Sequence, residues 1–213
     1  MVRYIHQFTE AKPMNTIITI SREYGAGGTS IGRRVAQELG IEIYDRDIIR
    51  SAVKDTGLDT DIVEHEEEEI SRGDAFLRMI TPAAYFDRRE AIREIEREVI
   101  LGFARKGACV LLGRCADIIL EEHGIDCFKV FLYGDELHRA ARVSEIIGSK
   151  DPTEIQKAMK RTDRARRSYY QQFTGRKWGD CANYNLMIDT GLLGYDVSAK
   201  VICEAVRGLE EKA

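Results

Sequence analysis

Six consecutive residues, Gly25-Ala26-Gly27-Gly28-Thr29-Ser30, carry the most distinctive chemistry in this 213-residue chain. Glycines reach φ > 0 and let a ligand come close, so a run of them can aim several backbone N–H groups at one anion. The hydroxyls that follow, on Thr29 and Ser30, are oxygen donors of the kind Mg²⁺ accepts. Three other places concentrate charge: Asp45-Arg46-Asp47, the stretch Gly113-Arg114-Cys115-Ala116-Asp117, and a series of cations at Lys157, Lys160, Arg161, Arg164 and Arg167. The last recur at three- and four-residue steps, which lines one helical face with positive charge. An anionic ligand accounts for that stripe better than a merely solvated face does.

These groups need elements to hold them. Ile17, Ile18 and Ile20, with two threonines, read as a short buried strand, and Ile31, Val35, Ala36 and Leu39 have helical spacing. Strand, glycine turn and helix together point a helix N-terminus at a phosphate. The turn nevertheless departs from the phosphate-loop pattern GxxxxGK[ST]. Arg22 stands at its first glycine and Gly28 at its lysine. A second strand, 42–44, ends at Asp45 and Arg46, where ligands of open α/β sheets bind, although Asp45 or Asp47 equally suits capping the helix whose inner face is Ile48, Ile49, Ala52 and Val53. A long helix runs from Phe86 to Lys106 with Ile92, Ile95, Val99 and Phe103 on one face, and Gly107 ends it. The continuous apolar run Ala108–Leu112 fits a strand covered on both faces. Arg114, just beyond it, is a costly charge unless something meets it, and an anion is the preferred partner over an internal salt bridge. A strand at 128–133, a helix at 136–147 (Leu137, Ala140, Ala141 and Ile147 inward), a strand at 186–188 and a last helix through Val197, Val201, Ala205 and Leu209 complete the alternation. The aromatic clusters Ser168-Tyr169-Tyr170 and Lys177-Trp178-Gly179 are expected to dock the cationic helix onto the core rather than to stack on a base.

Composition narrows the function. A net charge of -4 argues against non-specific nucleic-acid binding. Five cysteines without a CxxC pair suggest neither a disulfide framework nor a zinc site, and reduced thiols in a cytoplasm are the expectation. No apolar run reaches the length of a membrane span. The run Glu64–Glu69, which contains His65, reads as a solvated helix face. Residues 1–15 are expected to be a tail before a single domain over 16–213.

Taken together, SREYGAGG at 21–28, IYDRDII at 43–49, LLGRCADII at 111–119, DRARRSYY at 163–170 and WGDCANYNLMIDTG at 178–191 resemble the bacterial cytidylate-kinase-like family of nucleoside monophosphate kinases. The resemblance implies an α/β fold of the P-loop NTPase type: three layers, a five-stranded parallel sheet with helices on both faces, an acceptor-binding insertion over 46–106 and a helical lid arm over 151–180. It implies transfer of the ATP γ-phosphoryl group to a nucleoside monophosphate, CMP or dCMP first among them, with Mg²⁺ as cofactor and neither nucleic acid nor membrane as partner; a homo-oligomer is left open. Arg22 and Gly25 to Ser30 would cradle the donor phosphates, with Ser30 or Thr29 on the metal. Asp45, Arg46, Arg114 and Asp117 would form the acceptor site, and Arg114, Arg161, Arg164 and Arg167 would act on the transferring group. The missing lysine must be replaced by another cation, Arg22 or one of the arm's arginines, or donor binding is weak. Two alternatives follow from it: a phosphotransferase of this fold with another small acceptor, and a nucleotide-binding protein without catalysis.

Overall fold

The computed structural model describes residues 15–54 and 82–212. The expected tail over 1–15 lies almost wholly outside these residues, as do the acidic run with His65 and the middle of the expected acceptor-binding insertion. Five strands form one parallel sheet: β1 (Ile17–Arg22), β2 (Glu42–Tyr44), β3 (Cys109–Leu112), β4 (Cys127–Tyr133) and β5 (Leu186–Asp189), in the order β2-β3-β1-β4-β5. Register is set on both sides of the central strand, with Ile18 opposite Val110 and Phe128, and Ile20 opposite Leu112 and Val130.

Side chains alternate across such a sheet, and β3 shows what that does. Val110 and Leu112 face α1 (Gly28–Leu39) and α7 (Thr190–Glu210), in a core with Ile18, Ile20, Ile31, Val35, Leu132 and Ile202. Cys109 and Leu111 face the other way, toward α3 (Pro82–Ala104) and α4 (Ala116–Glu122), packing with Ile17, Ile49, Ile100, Leu101 and Leu120. All four residues of β3 are buried, which is why that strand has no polar position. Burial of each such leucine or isoleucine contributes about 1.5–3 kcal/mol. Helix α2 (Arg46–Lys54) follows β2 directly.

The remaining two helices form the arm. In α5 (Glu136–Ile147) and α6 (Pro152–Thr174), each N-terminus is capped by an aspartate: Asp135 accepts from His138 N, and Asp151 from Thr153 N at 2.8 Å. Gly175, at φ 65°, ends α6 in the left-handed region. The first half of α6 packs Ile155 and Met159 on Val143 of α5. Its second half docks Tyr170, with Trp178 beyond it, on Cys115, Ile118 and Phe131, so the aromatic clusters do fasten the arm to the sheet.

Three expectations, one about bounds and two about faces, are corrected. Helix α3 begins at Pro82, four residues earlier than the spacing predicted, and ends at Ala104. On α5 the inward residue is Val143, whereas Leu137 is 83% exposed and Ile147 also faces solvent. On α7 the buried set is Ser198, Ala199, Ile202, Cys203 and Val206, and Val197 and Leu209 lie outside. The expected Val197, Val201 and Ala205 each fall one residue before the buried Ser198, Ile202 and Val206, and Gly194, at φ 70° and ψ 169°, breaks the helix before either series begins.

Candidate phosphate and acceptor site

The glycine turn is held from three sides. Gly25 (φ 87°) and Gly27 (φ 75°) are both left-handed, and a Cβ at Gly25 would come within 2.5 Å of the Arg139 carbonyl on α5. A Cβ at Gly27 would collide with the ring of Tyr195 on α7. The third support is Asp163 of α6: its Oδ1 accepts from Tyr24 N at 2.7 Å, and its Oδ2 meets Arg139 Nη1 at 2.7 Å. Arg139 also pairs with Glu23 at 3.0 Å, and burial still pushes the Glu23 carboxyl above the usual carboxylate range. Gly27 caps α1 without a side chain, so the first-turn N–H groups keep their open direction toward the pocket. Arg22, Gly25, Gly27, Gly28, Thr29 and Ser30 line that pocket together with Arg142, Ile146 and Arg166. Ala26 is fully buried beneath it.

A second, smaller cavity of about 40 Å³ opens beside the carboxyl end of β3, with Ser21, Arg22, Arg114, Arg166, Tyr169 and Trp178 among its walls. Its backbone is unusual. Gly113 (φ 74°), Arg114 (φ 58°) and Cys115 (φ 52°) are left-handed in succession before α4 begins. Each non-glycine residue held this way costs about 1–2 kcal/mol. Two arginines belong to both pockets: Arg22, from the end of β1, and Arg166, whose Nη1 donates to the Arg22 carbonyl at 2.9 Å.

Arg114 lines the small cavity, but its charge is met inside the protein. Its Nη1 lies 3.1 Å from Glu96 Oε1 on α3, and both side chains are 2% exposed. The other Glu96 oxygen accepts from the Tyr169 hydroxyl at 3.0 Å. The internal salt bridge, which the sequence ranked below an anion, is therefore what forms. Asp117 is buried behind Tyr170, whose hydroxyl donates to it at 3.2 Å; burial raises its pKa, and that of Tyr170 with it. Asp45 caps α2, accepting from Asp47 N at 3.1 Å and Ile48 N at 3.2 Å, and faces Arg33 at 3.8 Å. Arg46 lies 3.5 Å from Asp47. Neither Asp45 nor Arg46 borders the two pockets.

The cationic stripe of α6 divides. Arg164 and Arg167 line a third space, with Glu23, Arg139, Met159 and Asp163, and Arg161 is exposed and borders none of the three. Arg166, which the spacing of the stripe passes over, is the arm's arginine that reaches the junction. The legible signal was on the other face: Ile155, Met159, Asp163 and Tyr170 form one buried series, and the half-buried Arg166 falls between its last two members.

Among the described residues no helix is long and apolar enough to cross a membrane, and no three metal-ligating side chains converge. Mg²⁺ bound with a nucleotide needs only one or two protein oxygens, the remainder coming from phosphate and water, and the hydroxyls of Thr29 and Ser30 at the helix start fit that demand.

The same architecture recurs in solved structures. An uncharacterized protein from Eubacterium ventriosum superposes with a TM-score of 0.69 at 24% identity, over 90% of this chain and 98% of that one. A shikimate kinase from Bacteroides thetaiotaomicron gives 0.53 at 15% identity, over 90% and 98% of the two chains. A gluconokinase from Sinorhizobium meliloti gives 0.51 at 15%, over 95% and 99%. These likenesses show the fold alone: a parallel α/β sheet shared with these three proteins. No curated protein matches the chain. The profile of the cytidylate kinase-like family matches residues 17–192, and the chain belongs to that family.

Proposed function

We propose that this protein transfers the γ-phosphoryl group of MgATP to a nucleoside monophosphate, with CMP or dCMP as the acceptor. The observation that carries the proposal is the meeting of two pockets at two arginines. The glycine-turn pocket and the cavity at the end of β3 share Arg22 and Arg166. Phosphoryl transfer asks for positioning and for neutralisation of charge on the moving group, with little covalent work by the protein. Donor phosphates on the first turn of α1, Mg²⁺ on Thr29 or Ser30, and the moving group between Arg22 and Arg166 meet that requirement. Arg142 adds a cation from α5 on the donor side. Arg114, fixed by Glu96, orients the acceptor end and keeps the strained turn in place. Asp163 binds the arm to the glycine turn, so closure of the arm would exclude water from both pockets at once.

A second reading, a small hydroxylated acceptor in place of a nucleotide, draws on the small size of the cavity beside Arg114, about 40 Å³. One experiment separates the two. ADP release from MgATP is followed with CMP, dCMP, UMP, AMP and GMP offered singly. Turnover with CMP or dCMP is the expected result. Silence across the nucleotides with turnover on a small polyol or hydroxy acid would replace the proposal with the second reading, and silence everywhere with MgATP still bound would leave a nucleotide-binding protein without transfer.

A further inference from the structure

The departure from the GxxxxGK[ST] pattern is two substitutions in sequence and one object in space. A Cβ built on Gly28 would come within 2.6 Å of Arg22 Cγ and 3.1 Å of its Cδ. These atoms are the stem of the arginine rather than its free end, so they cannot swing aside cheaply. At its other end the Arg22 guanidinium rests against Gly113, where a Cβ would collide with Nη1. The arginine therefore runs from the end of β1, across the first residue of α1, to the left-handed turn after β3. It needs a missing side chain at both contacts. A lysine at position 28 and this arginine exclude each other.

We infer that Arg22 and Gly28 are a reciprocal pair: the phosphate-binding cation has moved from the helix start to the strand end, and Gly28 is the seat that lets it reach the donor phosphates. The inference rests on the proposed donor site and deepens it by naming the cation that serves the phosphates. The route also differs from that of a lysine at position 28. Arg22 borders the acceptor-side cavity as well as the glycine turn, so a single guanidinium with its forked donors can face both the donor and the moving group.

The test is a binding cycle that needs no acceptor. Dissociation constants for MgATP and for tripolyphosphate are measured by calorimetry on the native chain, Arg22→Gln, Gly28→Lys and the double variant Arg22→Gly/Gly28→Lys, with Tm recorded for each. Arg22→Gln keeps most of the stem over Gly28 and drops the charge; it should weaken tripolyphosphate at least tenfold with Tm within a few degrees of native. Gly28→Lys alone should lose both affinity and Tm, because two side chains compete for one space. The double variant should return to within about threefold of native affinity. Unchanged binding in Arg22→Gln overturns the inference, as does a double variant no better than Gly28→Lys. Should the double variant not fold, Arg22→Gln against Arg22→Lys decides alone: the lysine must bind more tightly than the glutamine. A native chain that binds MgATP and shows this coupling, yet is silent with every acceptor, would overturn the proposed activity and keep the inference.

Discussion

Two neighbouring strands end in arginine, and the two ends behave differently. Arg22 closes β1 and Arg114 follows β3, and the strands are paired directly, with Ile20 opposite Leu112. At the β3 end a helix brings Glu96 against the guanidinium, and the charge is settled inside the fold. At the β1 end the side chain lies over glycine on both sides and borders two pockets. A cation at the carboxyl end of a strand is thus not in itself a ligand site. The covering helix supplies a carboxylate at the β3 end and a glycine at the β1 end. The carboxylates near β1, Glu23 and Asp163, are occupied by Arg139.

The comparison breaks most visibly on the β3 side. Glu96→Gln or Arg114→Ala leaves one buried charge alone and should cost about 3–5 kcal/mol in denaturant unfolding. The paired change Glu96→Leu/Arg114→Met should recover most of that loss. Full stability in either single variant would mean that the pair is not the anchor of the turn. On the β1 side the expected effect is catalytic. Arg166→Ala should lower kcat by roughly 10³-fold, about 4 kcal/mol of barrier, while Arg161→Ala should change it less than twofold. Equal losses in the two variants would return the stripe to the role that its spacing suggested. Asp163→Asn tests the support of the β1 side, since it weakens the hold on Tyr24 and uncovers Arg139; about 1.5–3 kcal/mol should go, with KM for ATP rising.

The smallest effect is one of pH. Glu121 of α4 grips Arg176 with both oxygens, at 2.6 and 3.2 Å, and also pairs with Lys129. Arg176, then Lys129, pull its pKa from 4.5 down to about 2. A lowered carboxylate contributes stability above its unfolded value and loses it as pH falls from about 4.5 toward 2. Because the pair is well exposed, that contribution stays below about 1 kcal/mol. Asp117, one turn earlier, runs the opposite way: burial raises its pKa, so protonation favours the folded form. Thermal melts from pH 5 to pH 2.5 should therefore show a shallower acid loss in Glu121→Gln than in the native chain. An identical slope would take Glu121 out of the acid limb.

Much of the architecture was readable from residue types. Buried parallel strands leave continuous apolar runs, and Cys109–Leu112 declared its two covered faces. Helix phase was less readable: on α7 four-residue steps from Val197 land one position before the buried Ser198, Ile202 and Val206. The site split along the same line. Glycines at 25 and 27 announce a backbone geometry that is local, and both are left-handed. Arg114 does not announce its partner, since Glu96 lies eighteen positions earlier on another element. Counting cations at helical steps finds the face with most charge, which on α6 is the solvent face. The inward Arg166 was marked instead by being charged among Met159, Tyr170 and their neighbours.

Helix α6 runs unbroken for 23 residues. Asp163, which holds the glycine turn, and Tyr170, which meets the acceptor-side core through Asp117, are seven residues apart on it, about 10 Å along the axis. A continuous helix does not bend between two such points without breaking hydrogen bonds. Seating one end seats the other. In the proposed reaction, whatever ordering the first substrate imposes on the arm is ordering that the second need not impose, and the advantage is the same whichever arrives first. The two substrates would thus bind as thermodynamic partners, each raising the affinity of the other through a shared rod rather than through contact.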